Sequence, residues 1–148
     1  MKVYYNSRLA KILTFLQGFS TMMFFGTVIT EEKELSGKSL KHEGTHVEQY
    51  KDCVGLGIGL DVVVMFVLFA FDIQGWWMIP VFILVPLLLY YVIYGIEYMY
   101  WRCKGFKRER AYEKIGFERQ AYWIAETWDK PCREQNQYET FGWWKKLE

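Results

Sequence analysis

From Gly55 to Ile96 the chain is almost entirely apolar, and on both sides of this block polar and apolar positions recur at helical or strand spacing. The block has two parts, "GIGLDVVVMFVLFAFD" and "WWMIPVFILVPLLLYYVIYGI", separated by the tight "IQG". The second, Trp76 to Ile96, holds 21 residues without a charge. As a helix it is about 31 Å long, the thickness of a bilayer's hydrocarbon core. Pro80 and Pro86 would cripple a soluble helix and are tolerated in a membrane span. Trp76 and Trp77 at one end, and Tyr94, Tyr98, Tyr100 and Trp101 at the other, have the placing of interfacial aromatic belts. The first part, Leu56 to Phe71, is shorter and carries Asp61, an expensive residue in hydrocarbon. So short a connection predicts an antiparallel helical hairpin over 54–101. Lys33, Lys38, Lys41 and Lys51 precede it, and Arg102, Lys104, Lys107, Arg108 and Arg110 follow it. The connecting turn has no basic residue, so both ends are expected on the cytoplasmic side.

Outside the hairpin the periods are shorter. Leu9, Ile12, Leu13, Leu16 and Phe19 predict an amphipathic helix over 8–22, ending near Gly18 and the Ser20-Thr21 pair. "MMFFGTVIT", 22–30, is rich in β-branched and aromatic residues and reads as a strand. After a polar loop, Ser36 or Ser39 is placed to cap a helix from about Ser39 to Cys53, which Gly55, Gly57 and Gly59 are expected to loosen or break. Beyond the hairpin, two helical pieces meet near Gly116, the second running over 117–128 and stopping before Pro131. A polar tail ends in Trp143 and Trp144, which either pack on the domain or lie at a membrane surface.

Composition narrows the function classes. The 148 residues make one domain, 52% hydrophobic and 20% aromatic, with a net charge of +1. No basic excess exists to neutralise phosphates, which argues against nucleic acid as a partner. Cys53, Cys103 and Cys132 form no C-x-x-C pair, and their odd number makes a poor disulfide framework, so reduced thiols facing the cytosol are expected. The N-terminal segment, interrupted by Lys11 and Gln17, lacks the pattern of a signal peptide.

The chemistry concentrates in "SLKHEGTHVEQYKDC", residues 39–53, which holds the only two histidines of the chain, His42 and His46. Their spacing with Glu43 after the first makes H-E-x-x-H, a pattern that arises by chance roughly once in a thousand such chains. On a helix, residues four apart share a face, so two imidazoles can hold one ion, and zinc takes neutral imidazole readily. Glu43 points to one side of that face, where a carboxylate can hold a water and take its proton. Catalytic zinc needs a third protein ligand, and a carboxylate or a cysteine is left to supply it. Glu118, in "FERQAY", is the first choice, because Ala121 one turn later lets its helix pack closely on the motif helix. Glu113 and Glu126 are rivals. Gly44 inside the motif helix costs about 1 kcal/mol relative to Ala and calls for a close-packing reason.

The order of "FFGTVIT", "HEGTHVEQY", an apolar segment and "GFERQAY" resembles the gluzincin metallopeptidases, and in particular small bacterial and phage H-E-x-x-H domain proteins. The resemblance covers about residues 20–125, with the hairpin counted as an insertion. It implies that His42, His46 and Glu118 are zinc ligands and Glu43 the general base. It implies further that Tyr122 helps to orient the oxyanion and that strand 23–30 is an edge strand beside the cleft. The chain is much shorter than most gluzincins, which leaves little material for a substrate cleft.

The expected fold is therefore mainly α with a minor β part (α+β). It is a zincin-like helix pair, 39–53 and 117–128, with a short edge strand and an inserted apolar, transmembrane helical hairpin. The expected function is a membrane-associated zinc metallopeptidase acting on a peptide or protein substrate, its metal site facing the cytoplasm. The alternatives are a catalytically inactive zincin-like metal-binding or structural module, and a hairpin buried in a larger assembly such as a virion.

Overall fold

The computed structural model describes residues 1–14 and 20–146. It is mostly helical with one small sheet. Two strands, β1 (Val3–Tyr4) and β2 (Thr21–Phe24), flank a third, β3 (Thr27–Thr30), in the order β1-β3-β2. β1 pairs parallel with β3 and β2 pairs antiparallel with it. The single strand expected over 22–30 is thus a hairpin, because Phe25 and Gly26 turn the chain with φ of 45° and 75°. Two successive positive φ values match the right-handed twist of the flanking strands. A phenylalanine in this region is strained. Its N–H is held by the Tyr91 hydroxyl at 2.7 Å, and its ring packs on Phe24 and Tyr91.

The amphipathic helix expected over 8–22 is described only as α1 (Arg8–Thr14), and its expected end near Gly18 lies outside the described residues. Within α1 the small residue Ala10 is buried, while Leu9 and Ile12 of the expected apolar stripe are exposed; Leu16 and Phe19 of that stripe lie outside the described residues.

The motif helix differs most from expectation. It does not end at Cys53 but continues as α2 (Gly37–Ala70), a single helix of 34 residues capped by Ser36, whose Oγ accepts from the Ser39 N–H at 3.1 Å. Gly55, Gly57 and Gly59 do not break it. A Cβ on Gly57 would lie 2.5 Å from the Pro86 Cα, whereas one on Gly55 or Gly59 would meet nothing within 4 Å. Gly57 is the point of closest approach to α3 (Met78–Cys103), the partner in the hairpin. Pro80 falls in the first turn of α3, where a missing N–H costs nothing, and Pro86 sits inside the helix against Gly57.

Both long helices are apolar enough to cross a membrane, and only 11% of the most apolar window of each is buried, unlike the core helix of a soluble protein. Leu60, Val63, Phe66 and Phe69 of α2, with Ile79, Ile83 and Val92 of α3, point outward. Asp61 is only half-buried among them.

The core lies at the other end of the hairpin. Val47, Tyr50 and Cys53 of α2 and Tyr90 of α3 pack there with Met23, Val28, Leu35, Ile115, Phe117 and Trp143. After α4 (Arg108–Glu113) the chain enters α5 (Gly116–Ala125), shorter than the predicted 117–128. The first N–H of α5 is satisfied by a carboxylate from another helix, Gly116 donating to Glu97 Oε2 at 2.6 Å. Phe117 packs against Trp143 with ring centres 4.3 Å apart and the planes tilted by 42°. Trp143 therefore packs on the domain, while Trp144 stays exposed. Asp52 fastens this tail to α2 by accepting from the Tyr138 hydroxyl and the Phe141 N–H.

Candidate metal centre

His42 and His46 project from one face of α2, one turn apart, and their Nε2 atoms lie 3.1 Å from each other. The first turn of α5 brings Glu118 between them, with Oε2 at 3.3 Å from His42 Nε2 and Oε1 at 3.3 Å from His46 Nε2. Ala121, one turn on, is fully buried at this contact. Four ligands at zinc's bond lengths of about 2.0–2.1 Å in a tetrahedron stand about 3.3–3.4 Å apart. Two imidazole nitrogens and a carboxylate already at 3.1–3.3 Å therefore fit one such ion. Two buried oxygens also lack a hydrogen-bond partner, Glu43 Oε2 and Glu118 Oε2, the second facing His42 Nε2 at 3.3 Å. An orphaned buried carboxylate oxygen is costly, and a cation or a water held by one removes that cost. These three side chains are the one group of potential ligands among the described residues. The rival carboxylates Glu113 and Glu126 are exposed and not part of it.

The charges inside the cluster are set by burial and by each other. Burial disfavours the Glu118 carboxylate, but His46 and His42 outweigh it by charge and hydrogen bonding and hold the group well below the usual carboxylate range. Burial likewise disfavours the His46 imidazolium, yet the Glu118 charge pushes its pKa up to about 9. Glu43 is raised by burial, which the two histidines only partly offset.

Around the three side chains lies a shell that sequence reasoning missed. Gln49 is fully buried one turn beyond His46, and its Oε1 lies 2.8 Å from His46 Nδ1. Its amide nitrogen donates to the Phe117 carbonyl at 3.0 Å and to Gln120 Oε1 at 2.9 Å. Gln120 in turn donates to the Glu139 carbonyl at 3.0 Å. With both amide protons of Gln49 committed to acceptors, its oxygen must face His46. The Nδ1 atom therefore carries a proton and Nε2 offers its lone pair to an ion. Tyr94 donates to Glu118 Oε1 at 2.8 Å, and Tyr112 also hydrogen-bonds Glu118. Tyr90 brings its hydroxyl to 3.2 Å from His46 Nδ1. The only trace of this shell in the sequence is the helical spacing of Tyr90 and Tyr94 and of His46 and Gln49, pairs that must share a face.

Tyr122 packs its ring 4.6 Å from that of His42 and is half exposed, so it borders the cluster rather than entering it. Gly44 has no steric reason of the kind expected, since a Cβ there would make only an ordinary contact with the Met1 Sδ at 3.4 Å.

No family model, curated protein or solved structure matches this chain. Its chemistry therefore rests on its own residues. A cavity of about 190 Å³ opens beside the cluster, lined by Glu43, His46 and Glu118, by Thr21, Met22 and Met23 of β2, and by Tyr90, Tyr91, Tyr94 and Tyr112. β2 is an outer strand of the sheet. The two-residue turn makes Phe24 and Thr27 a hydrogen-bonded pair, and the Glu31 N–H donates to the Ser20 carbonyl at 2.9 Å. Hydrogen-bonded pairs then alternate along the hairpin, and the N–H and C=O of Thr21 and Met23 point away from β3. The expected edge strand is thus β2 alone, with β3 central in the sheet.

Proposed function

We propose that this protein is a membrane-associated zinc metallopeptidase with its site on the cytoplasmic face. One observation carries the reading. Two imidazole nitrogens and a carboxylate stand 3.1–3.3 Å apart, with the unpartnered Glu43 oxygen buried beside them. The resemblance of the motif order to gluzincins supports it, as does the edge strand along the cavity.

Zinc held by His42, His46 and Glu118 would supply Lewis acidity toward a peptide carbonyl and a water. The remaining work falls to side chains of this chain. Gln49 keeps His46 in the tautomer that presents Nε2, and Tyr94 and Tyr112 hold the Glu118 carboxylate. β2 offers the Thr21 and Met23 backbone groups to an extended peptide. Glu43 accepts a proton from the attacking water as its oxygen bonds to the carbonyl carbon. It then passes that proton to the amine that leaves when the C–N bond breaks. Tyr122, whose ring packs beside His42, would help to orient the carbonyl oxygen. The basic residues flanking both ends of the hairpin support the cytoplasmic side for this end of the molecule.

Glu43→Gln tests the reading. It keeps the shape and removes the proton acceptor. Zinc content should therefore be unchanged while cleavage of a mixed peptide library falls by about 10² to 10⁴. Equal cleavage by the variant would overturn the assignment. Zinc bound in full with no peptide cut by the wild type would favour a metal-binding structural module, a reading that the burial of Glu118 and His46 supports.

A further inference from the structure

The distance from the cluster to the apolar half of α2 indicates which peptides the cavity can receive. Along α2, His46 precedes Phe71, at the connecting turn, by 25 residues. At about 1.5 Å per residue that is about 37 Å, against roughly 30 Å of hydrocarbon and about 5–7 Å of headgroups on each face. The other end of the helix agrees. Lys51, exposed, is the last full charge before the apolar half apart from Asp52, which is tied to the C-terminal tail. It lies about 8 Å along the helix from His46. Along α3, Tyr90 and Tyr94, whose hydroxyls meet His46 Nδ1 and Glu118 Oε1, follow Met78 by only 12 and 16 residues, about 18 and 24 Å. The two helices together bracket the three donors between the edge of the hydrocarbon and the outer face of the headgroup layer.

The hairpin tip marks the same level. Phe25 sits in the strained turn with its N–H on Tyr91 and its ring 6.3 Å from Tyr50, the neighbour of Lys51. It is 43% exposed, an apolar ring at the height where Lys51 marks the membrane surface. From Phe24 the strand leads along the cavity, where Thr21 and Met23, whose backbone groups point away from β3, line the same space as Glu43 and His46. An extended segment paired with that edge passes the cluster within a few residues of the bilayer.

We propose that the substrate is a membrane-anchored polypeptide, cut in an extended segment immediately outside its own anchor. This rests on the peptidase reading and adds the source of the peptide to it. About 8 Å corresponds to two or three residues of extended chain at about 3.3 Å each, and the headgroup layer of about 5–7 Å adds about two more, so the cut should fall within about five residues of the anchor.

The test uses the full chain, zinc-loaded, in liposomes of neutral and anionic phospholipid. One arm contains a mixed-sequence tail of about 30 residues, roughly 100 Å when extended, joined to a single transmembrane helix in the same liposomes. The other arm adds the same tail free in solution. Mass spectrometry maps the cuts. The expected result is a cluster of cuts next to the anchor and slow or no cutting of the free tail. Cuts spread evenly along the anchored tail, or a free tail cut as fast, would overturn this proposal and leave the peptidase reading standing. No cut in either arm by zinc-loaded protein would remove both. A second measurement needs no turnover. In a Cys103→Ser, Cys132→Ser background, where the remaining Cys53 is fully buried, Phe25→Cys carries a fluorophore. Quenching by headgroup-labelled lipid is expected, and its absence would place the tip away from the membrane and overturn the proposal.

Discussion

His46 Nδ1 and Gln49 Oε1 lie 2.8 Å apart, one turn along the same buried helix face. The amide protons of Gln49 are taken by Phe117 and Gln120, so this contact can run only one way, from imidazole to amide oxygen. The protein settles which nitrogen faces the candidate ion before any ion arrives. Partners of this kind typically tune metal affinity by 10 to 100-fold. Gln49→Leu, similar in volume, should weaken zinc binding by about that factor, read by competition with a chelator. It should also lower stability by about 1–3 kcal/mol through the unpaired Gln120 oxygen. Unchanged zinc affinity in a folded variant would show that Gln49 is only a core residue.

Proton release should accompany metal uptake. Without metal, burial works against the His46 imidazolium, but the Glu118 charge holds its pKa up to about 9, so at neutral pH the ring is protonated. An ion needs the neutral ring. Zinc binding at pH 7 should therefore release about one proton, visible as a buffer-dependent heat of binding, and the release should fade above about pH 9. A heat independent of the buffer would contradict the imidazolium–carboxylate pair.

The same pair sets the pH dependence of stability in the metal-free protein. The folded pKa of His46 lies above the unfolded value, so its contribution is complete below about pH 6.5 and is lost as pH rises through about 9. The folded pKa of Glu118 lies below the unfolded value, so its contribution is complete above about pH 4.5 and is lost on further acidification. Thermal melts should show a maximum between these limits. With zinc bound the alkaline decline should disappear, because the ion then takes the place of the proton. A flat profile from pH 5 to 10 without metal would count against the geometry.

The three glycines of α2 should behave differently from one another. Gly57→Ala forces a methyl group to within 2.5 Å of the Pro86 backbone and must push α2 and α3 apart. Overpacking of this kind costs about 1–3 kcal/mol. Gly55→Ala and Gly59→Ala meet open space and should leave the melting temperature equal or higher. Three equal effects would mean that the helices do not meet at Gly57.

Thiol labelling can establish the orientation of the hairpin. Cys103 and Cys132 are exposed near the core end and should react from one side of a sealed vesicle. Gln74→Cys, in the connecting turn, should react only from the other. Cys53 is buried and should stay unlabelled until the protein unfolds. Labelling of positions 74 and 103 from the same side would rule out a spanning hairpin.

Local spacing determined a good deal of this protein by itself. A period of four places His42 and His46 on one face whatever surrounds them, and long uncharged runs can satisfy their backbone in lipid only as helices. The choice of Glu118 among three carboxylates needed only a small residue one turn on to let two helices approach. What spacing could not determine depends on partners far apart in the chain. Gly55, Gly57 and Gly59 read as a break, yet the helix runs through them because Gly57 lets α3 approach at Pro86. The strand over 22–30 folds back at Phe25 because a hydroxyl on α3, at Tyr91, holds the turn. Gln49, Gln120, Tyr94 and Tyr112 resemble ordinary helix residues in sequence. Only the docking of α5 on α2 and α3 turns them into the shell that orients His46 and Glu118, because a hydrogen bond between side chains depends on their separation in space and not along the chain.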